Sequence, residues 1–228
     1  MKTTLYRLLK KTPVFAQLED PVLEQVLEIG LAKKYQTDEI LLLAGDIWPN
    51  LFLLVEGRVS VFKESYEGRG LLIAEFGVGD IFWGAAFFHD KAPNPVTMRF
   101  TQDSVIYRWS REHMLPILTE NGTMTWELAR VMSTRMINAS EIITGLAFRQ
   151  VGGRLAHFLL KYPGQTTTGP VVRSLTLDEM ANRIGSTREM VCRFLQGFAS
   201  QGLINITRTE FEIVDREGLM LLAQKEKP

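Results

Sequence analysis

The residues of this chain best equipped for specific chemistry lie in one short run, Thr187-Arg-Glu-Met-Val-Cys-Arg193. On a helix, Thr187, Arg188, Glu189 and Arg193 share a solvent-facing side near the N-terminal end. Arginine can grip guanine O6 and N7 with two hydrogen bonds, and glutamate can accept from cytosine N4. The chemistry such a set performs is the reading of base edges in double-stranded DNA. Catalysis has no comparable foothold. The three histidines and the single cysteine, Cys192, show no nucleophile–base or metal-ligand spacing. The set therefore predicts a non-enzymatic DNA-binding protein.

Two helices must position these residues. Thr176 predicts the cap of the first, with Glu179 three residues later completing a capping box. Leu177, Met180, Ala181 and Ile184 make its buried face, and Gly185 permits the left-handed backbone of a tight turn. Ser186 or Thr187 caps the second helix, whose core face is Met190, Val191, Phe194 and Leu195. Two short helices joined by a glycine-containing turn are the content of a helix-turn-helix. Strand-like runs at Leu203–Thr207 and Phe211–Val214 predict a wing after it. Between Arg149 and Arg208 eight basic residues stand against three acidic ones. The whole chain balances 26 Lys and Arg against 26 Asp and Glu, so this local excess is the basic patch that a phosphate backbone selects. Cys192, inside the second helix, reads as a small packing residue, with a thiol switch as the alternative reading.

The remaining elements must carry that domain. The 228 residues are 46% hydrophobic and 23% charged, a globular composition that excludes collagen-like and bulk-disordered chains. One cysteine excludes an intrachain disulfide, and no apolar run reaches membrane-spanning length. The expected location is the cytoplasm. Short helices are predicted over 3–11 and 19–30. From about Tyr35 to Trp109 the pattern changes to short strands, Ile40–Leu43, Asn50–Val55, Arg58–Lys63, Leu71–Phe76 and Ser104–Trp109. Gly45-Asp46, Glu56-Gly57, Glu67-Gly68, Gly77 and Gly79-Asp80 punctuate them. A helix over Arg111–Leu118 precedes an unbroken helix from Thr123 to Phe148, ~39 Å long at ~1.5 Å per residue. Met132, Met136, Ala139, Ile143 and Leu146 alternate along it by four and three, the seam of a coiled coil that predicts pairing with a second copy. Pro163–Pro170 is the clearest loop. The fold class is α+β: an antiparallel sandwich, roll or barrel over 1–120, a long helix over 121–148 that pairs with a second copy, and a winged helix-turn-helix over 149–228.

The whole chain resembles the CRP/FNR family of bacterial transcription regulators. The resemblance is carried by Leu53-Leu-Val-Glu-Gly-Arg-Val59 and Phe76-Gly-Val-Gly-Asp80 in the roll. It continues through Gly145-Leu-Ala-Phe148, Gly153-Arg-Leu-Ala156 and Gly185-Ser-Thr-Arg-Glu-Met-Val-Cys-Arg-Phe-Leu195. In the cyclic-AMP-responsive branch the recognition helix carries Arg-Glu followed four residues on by Arg, matched here by Arg188, Glu189 and Arg193. The resemblance implies a jelly-roll or double-stranded β-helix over 1–120, a long dimerisation helix over 121–148, a homodimer, a palindromic site with TGTGA-like halves, RNA polymerase as a partner and an effector pocket in the cyclic-nucleotide-binding-like roll. That pocket would comprise Val61, Trp83, Gly84, Asn94, Pro95, Val96, Arg135, Ala139 and Ser140.

The family's phosphate cassette reads Phe-Gly-Glu and then, about ten residues on, Arg-Ser/Thr-Ala. Here Gly84 stands at the Glu position, Asn94 at the Arg and Pro95 at the Ser, while Ala139 replaces an adenine-contacting Thr. Cyclic AMP in the usual mode is therefore not the expected effector. An iron–sulfur cluster is excluded by the single cysteine. Haem remains an alternative, with His89 as its candidate ligand and His113 nearby. A small organic anion at Arg135, or no ligand, are the others. A second reading makes the chain a haem- or small-molecule-binding module of this fold whose DNA binding is secondary.

Overall fold

Apolar residues alternating between two interiors shape the first half of the chain in the computed structural model, which describes residues 2–65, 69–162 and 169–226. Helices α1 (Lys2–Lys11), α2 (Pro13–Ala16) and α3 (Asp20–Ile29) precede eight strands. These are β1 (Leu31–Tyr35), β2 (Ile40–Leu42), β3 (Asn50–Glu56), β4 (Val59–Glu64), β5 (Gly70–Phe76), β6 (Ile81–Trp83), β7 (Thr97–Phe100) and β8 (Ser104–Ser110). They form two four-stranded antiparallel sheets, ordered β1-β8-β3-β6 and β2-β7-β4-β5. Strand β3 shows how the roll is filled. Leu51 and Leu53 face a core shared with the helices, whereas Phe52 and Leu54 face the roll interior with Val61, Phe76, Phe82 and Phe100. A strand buried on both faces reads as a continuous apolar run, as Leu51–Val55 does.

After β8 come α4 (Arg111–Glu120) and α5 (Gly122–Phe148), and then the second half. It comprises α6 (Val151–Leu160), β9 (Val171–Val172), α7 (Leu177–Ile184), α8 (Arg188–Ser200), β10 (Ile204–Ile206), β11 (Glu210–Ile213) and α9 (Arg216–Gln224). Its strands form one antiparallel sheet ordered β10-β11-β9, and α6 packs on α9. Leu155, Leu159, Met180, Val191, Leu195, Phe198 and Phe211 are buried together in its core. The chain divides into two compact units, Met1–Lys63 with Ile73–Ile137 and Glu64–Leu72 with Asn138–Pro228, and α5 belongs partly to each. No helix among the described residues is long and apolar enough to cross a membrane.

The structure adds β1, β6, β7, β9 and α9 to the elements expected from sequence, and the wing is a three-stranded sheet. Phe198 is buried where Met190 and Phe194 were expected, and both of those are only partly buried. The predicted loop Pro163–Pro170 lies outside the described residues at 163–168, as does the Glu67-Gly68 turn.

On α5, Met124 and Leu128 are buried, while Trp126 (68% exposed), Met136 (69%) and Ile143 (65%) are not. The expected seam is therefore open to solvent at Met136 and Ile143 and part-covered at Ala139 and Leu146. The last turn of α3 is held to the roll by two buried side-chain donors. Tyr107 Oη donates to the Leu27 carbonyl at 2.6 Å and Trp109 Nε1 to the Val26 carbonyl at 2.7 Å. Tyr107→Phe is expected to remove about 1–3 kcal/mol by leaving a buried carbonyl without its donor. Urea titration should show the lost stability as a lower unfolding midpoint.

Candidate nucleic-acid interface and effector pocket

Three local devices set the geometry of the α7–α8 pair. At the start of α7, Thr176 Oγ1 accepts from the Glu179 N–H at 3.2 Å, and the Thr176 N–H donates to Glu179 Oε2 at 2.7 Å. This is the predicted capping box. Gly185 closes α7 with φ +60° and ψ +51°, a conformation that strains any side-chain-bearing residue. Thr187, rather than Ser186, caps α8, its Oγ1 accepting from the Met190 N–H at 3.4 Å.

A fourth device is not visible in the local pattern. Arg154, on α6, donates through Nε to the Ile184 carbonyl at 2.7 Å and through Nη2 to the Gly185 carbonyl at 3.2 Å. Its Nη1 reaches the Arg149 carbonyl at 2.9 Å. One guanidinium thereby satisfies carbonyls that the end of α7 leaves without intrahelical partners. Burial lowers its pKa from the ordinary guanidinium value, and it remains charged. The sequence signal was a lone arginine in the apolar helix Val-Gly-Gly-Arg-Leu-Ala, which says nothing about its distant acceptors.

Arg188, Glu189 and Arg193 are all exposed on the first two turns of α8, as expected from their spacing. Arg188 lies 3.8 Å from Asp178, an exposed pair that solvent screens. The Glu189 carboxylate is held below its ordinary pKa, first by the backbone N–H at the helix start and then by Thr187, so it remains an acceptor at neutral pH. Arg193 donates to Met190 Sδ at 2.9 Å and lies over the Phe194 ring. Arg208 is exposed at the wing turn, and its carbonyl accepts from Arg173 Nη2 at 2.5 Å. A helix with base-reading groups at its N-terminal end and a basic wing tip can enter a major groove and contact the flanking phosphates.

The roll presents a second constellation. Arg135, on α5, donates to the Ile81 carbonyl and lies 4.5 Å from the Phe76 ring centroid and 4.2 Å from that of Trp83. Burial presses its pKa down to about 10, with Asp80 acting in the opposite sense. Gly84 precedes a short 3-10 turn, Ala85–Phe87, and a Cβ there would stand 2.0 Å from the Trp48 carbonyl oxygen. Asn94 is 3% exposed, with Oδ1 accepting from the Ala85 N–H at 3.0 Å and Nδ2 donating to the Val96 carbonyl at 3.0 Å. The structure thus joins Trp83 to Arg135, and Asn94 to Val96 and the turn after Gly84. Val61 is buried in the roll interior, Pro95 is exposed, and Ala139 and Ser140 fall within the second unit. An apolar groove of about 560 Å³ runs past Phe88, Leu115, Trp126 and Met132, outside the predicted pocket.

Comparison with known proteins gives a family for each half of the chain. Residues 32–121 match the cyclic nucleotide-binding domain family, and residues 153–222 match the Crp-like helix-turn-helix domain. The chain is 26% identical over 194 residues to the cAMP-activated global transcriptional regulator CRP of Haemophilus influenzae, covering 83% of this chain and 87% of that one. A crp/fnr-family regulator from Eubacterium rectale superposes with TM-score 0.72 at 21% identity, covering 93% of this chain and 98% of that one. A CooA variant from Carboxydothermus hydrogenoformans gives 0.73 at 23% identity, over 87% and 90%.

The residues present do not fit a cyclic nucleotide held in the family's usual mode. Glutamate has no room at 84, Asn94 carries no charge and its side chain is already bonded, and Pro95 has no backbone N–H to offer an anion. Nor do the two candidate histidines fit as haem ligands. His89 is exposed in the turn after Phe88, and His113 is exposed on the first turn of α4, so neither imidazole reaches into the roll interior as an axial ligand must. Among the described residues no group of three His, Cys, Asp or Glu could hold a metal ion. His157 lies part-buried on α6, where burial first and then Arg149 and Lys161 push its pKa down.

Removing the Arg154 guanidinium should loosen the turn that aims α8. Arg154→Ala is expected to destabilise the second unit by about 2 kcal/mol, the scale of hydrogen bonds from a charged donor. Thermal unfolding followed by circular dichroism would measure it, and Arg154→Lys, which cannot reach three carbonyls, should recover only part.

Proposed function

We propose that this chain, which belongs to the CRP/FNR family of DNA-binding transcription regulators, acts as a homodimer on a palindromic site with TGTGA-like halves. The observation that carries the reading is the exposed set Arg188, Glu189 and Arg193 on a helix whose start and aim are fixed by Thr187, Gly185 and Arg154. In a symmetric dimer two such helices meet successive major grooves about 34 Å apart. The dimer is supported by the apolar stripe of Trp126, Met132, Met136, Ile137 and Ile143, exposed on one chain and bordered by the groove at Leu115. A surface of that kind marks an association site. DNA binding is set through the roll, cyclic AMP in the usual mode is not the effector, and the protein acts on RNA polymerase in the cytoplasm.

Selection from random-sequence DNA should recover the palindrome, whereas a failure to enrich any two-fold site would defeat the reading. Arg188→Ala should weaken binding to the selected site by about 1–3 kcal/mol while scarcely changing non-specific binding. Equal losses on both would show that Arg188 contacts only phosphate. Met136→Glu should shift the protein from dimer to monomer in sedimentation velocity, because two like charges would meet at the seam.

A further inference from the structure

We infer that the roll is self-occupied: Asn94 and Arg135 fill, from within the chain, the positions through which a bound ligand would act, so the protein binds its DNA site without a small molecule. The inference deepens the reading as a DNA-binding regulator and rests on it.

Asn94 is a built cross-link rather than a shortened arginine. Its four hydrogen-bonding groups each have a partner. The side chain joins the Ala85 N–H to the Val96 carbonyl. Its backbone N–H donates to the Asp46 carbonyl at 2.8 Å, and its carbonyl accepts from the Gly45 N–H at 2.8 Å. The amide orientation is fixed by these partners, since a flipped side chain would set Nδ2 against a donor and Oδ1 against an acceptor. The Ala85 N–H opens the 3-10 turn and is the type of donor an incoming anion would use, but a neutral internal acceptor already holds it. An anion can take that donor only by displacing the side-chain oxygen of a residue that is 3% exposed.

Arg135 completes the arrangement from the helix side. Its guanidinium lies against the Phe76 and Trp83 rings and is tied to the Ile81 carbonyl, which fixes this stretch of α5 to β5 and β6. Around it Phe76 stacks on Phe82 at 4.9 Å and Phe82 on Phe52 at 5.2 Å. A ligand switches a protein by binding one arrangement better than another. Here the groups that would discriminate are covalently part of the chain, so their effective concentration is constant and the favoured arrangement is permanent.

The test uses the full chain, purified natively, and a second sample unfolded in guanidinium chloride, desalted and refolded to strip any small molecule. Affinity for the selected palindrome is read by fluorescence anisotropy. Self-occupancy predicts equal affinity for both samples, unchanged by millimolar cyclic AMP. A loss of about tenfold or more on stripping, with the native circular dichroism spectrum restored, would overturn it, as would a similar gain with cyclic AMP. If neither sample prefers any sequence, the DNA-binding reading itself fails. Arg135→Ala separates a positioning role from a merely structural one. Palindrome affinity should fall by about tenfold with non-specific affinity unchanged, and Arg135→Lys should restore part of it. An Arg135→Ala protein that melts earlier yet binds the palindrome normally would also overturn the inference.

Discussion

One helix must satisfy two opposed apolar demands, and much of the molecule follows from that constraint. On α5, Met124 and Leu128 are sealed into the first unit, while Trp126, Met136 and Ile143 are left to water. A helix apolar on two sides is stable only if both are covered, and the first unit covers one. The length of α5 follows from the same need, since 27 residues exceed what packing one small domain requires. Arg135 sits on this helix among Trp83 and Phe76, so a cation stacked between rings takes the place of a further apolar contact.

The recognition helix depends on a different economy, with backbone groups satisfied by single side chains. Thr176, Thr187 and Arg154 each meet donors or acceptors that helix ends expose, and Gly185 supplies the left-handed turn between α7 and α8. Thr176, Gly185 and Arg154 act on the helices themselves, whereas Thr187 caps α8 at the same end as Arg188 and Glu189. Their combined effect is that α8 presents Arg188, Glu189 and Arg193 on a preset face, so little ordering would remain to be done on binding a duplex.

How much of this was legible in the sequence depends on how local each interaction is. The capping box, the Gly185 turn and the exposed face of α8 were readable because each is settled within four residues. Strand β1 was not. Leu-Ala-Lys-Lys-Tyr has four exposed residues of five and is a strand only because β8 pairs with it some seventy residues on. Strands β6 and β9 are too short to show a period, and β7 follows Pro95 with a charged residue inside it. Periodicity alone assigns Met190 and Phe194 to the core; both are partly buried, Phe194 against the cluster that Phe198 completes. At the candidate sites the shared exposed face of Arg188, Glu189 and Arg193 was legible from type and spacing. The parts played by Asn94 and Arg154 were hidden, because their partners are backbone atoms that carry no side-chain signature.

The exposed stripe on α5 has a consequence for how the regulator responds to its own abundance. If a DNA-competent form needs two chains, its amount rises with the square of chain concentration until the pairs are saturated. Synthesis and degradation then become inputs in their own right. A modest change in copy number, filtered through pairing at Met136 and Ile143, would be steepened before it reaches the promoter. If the amide of Asn94 secures the roll without a ligand, supply of the protein itself would take over the role that a diffusible signal plays elsewhere.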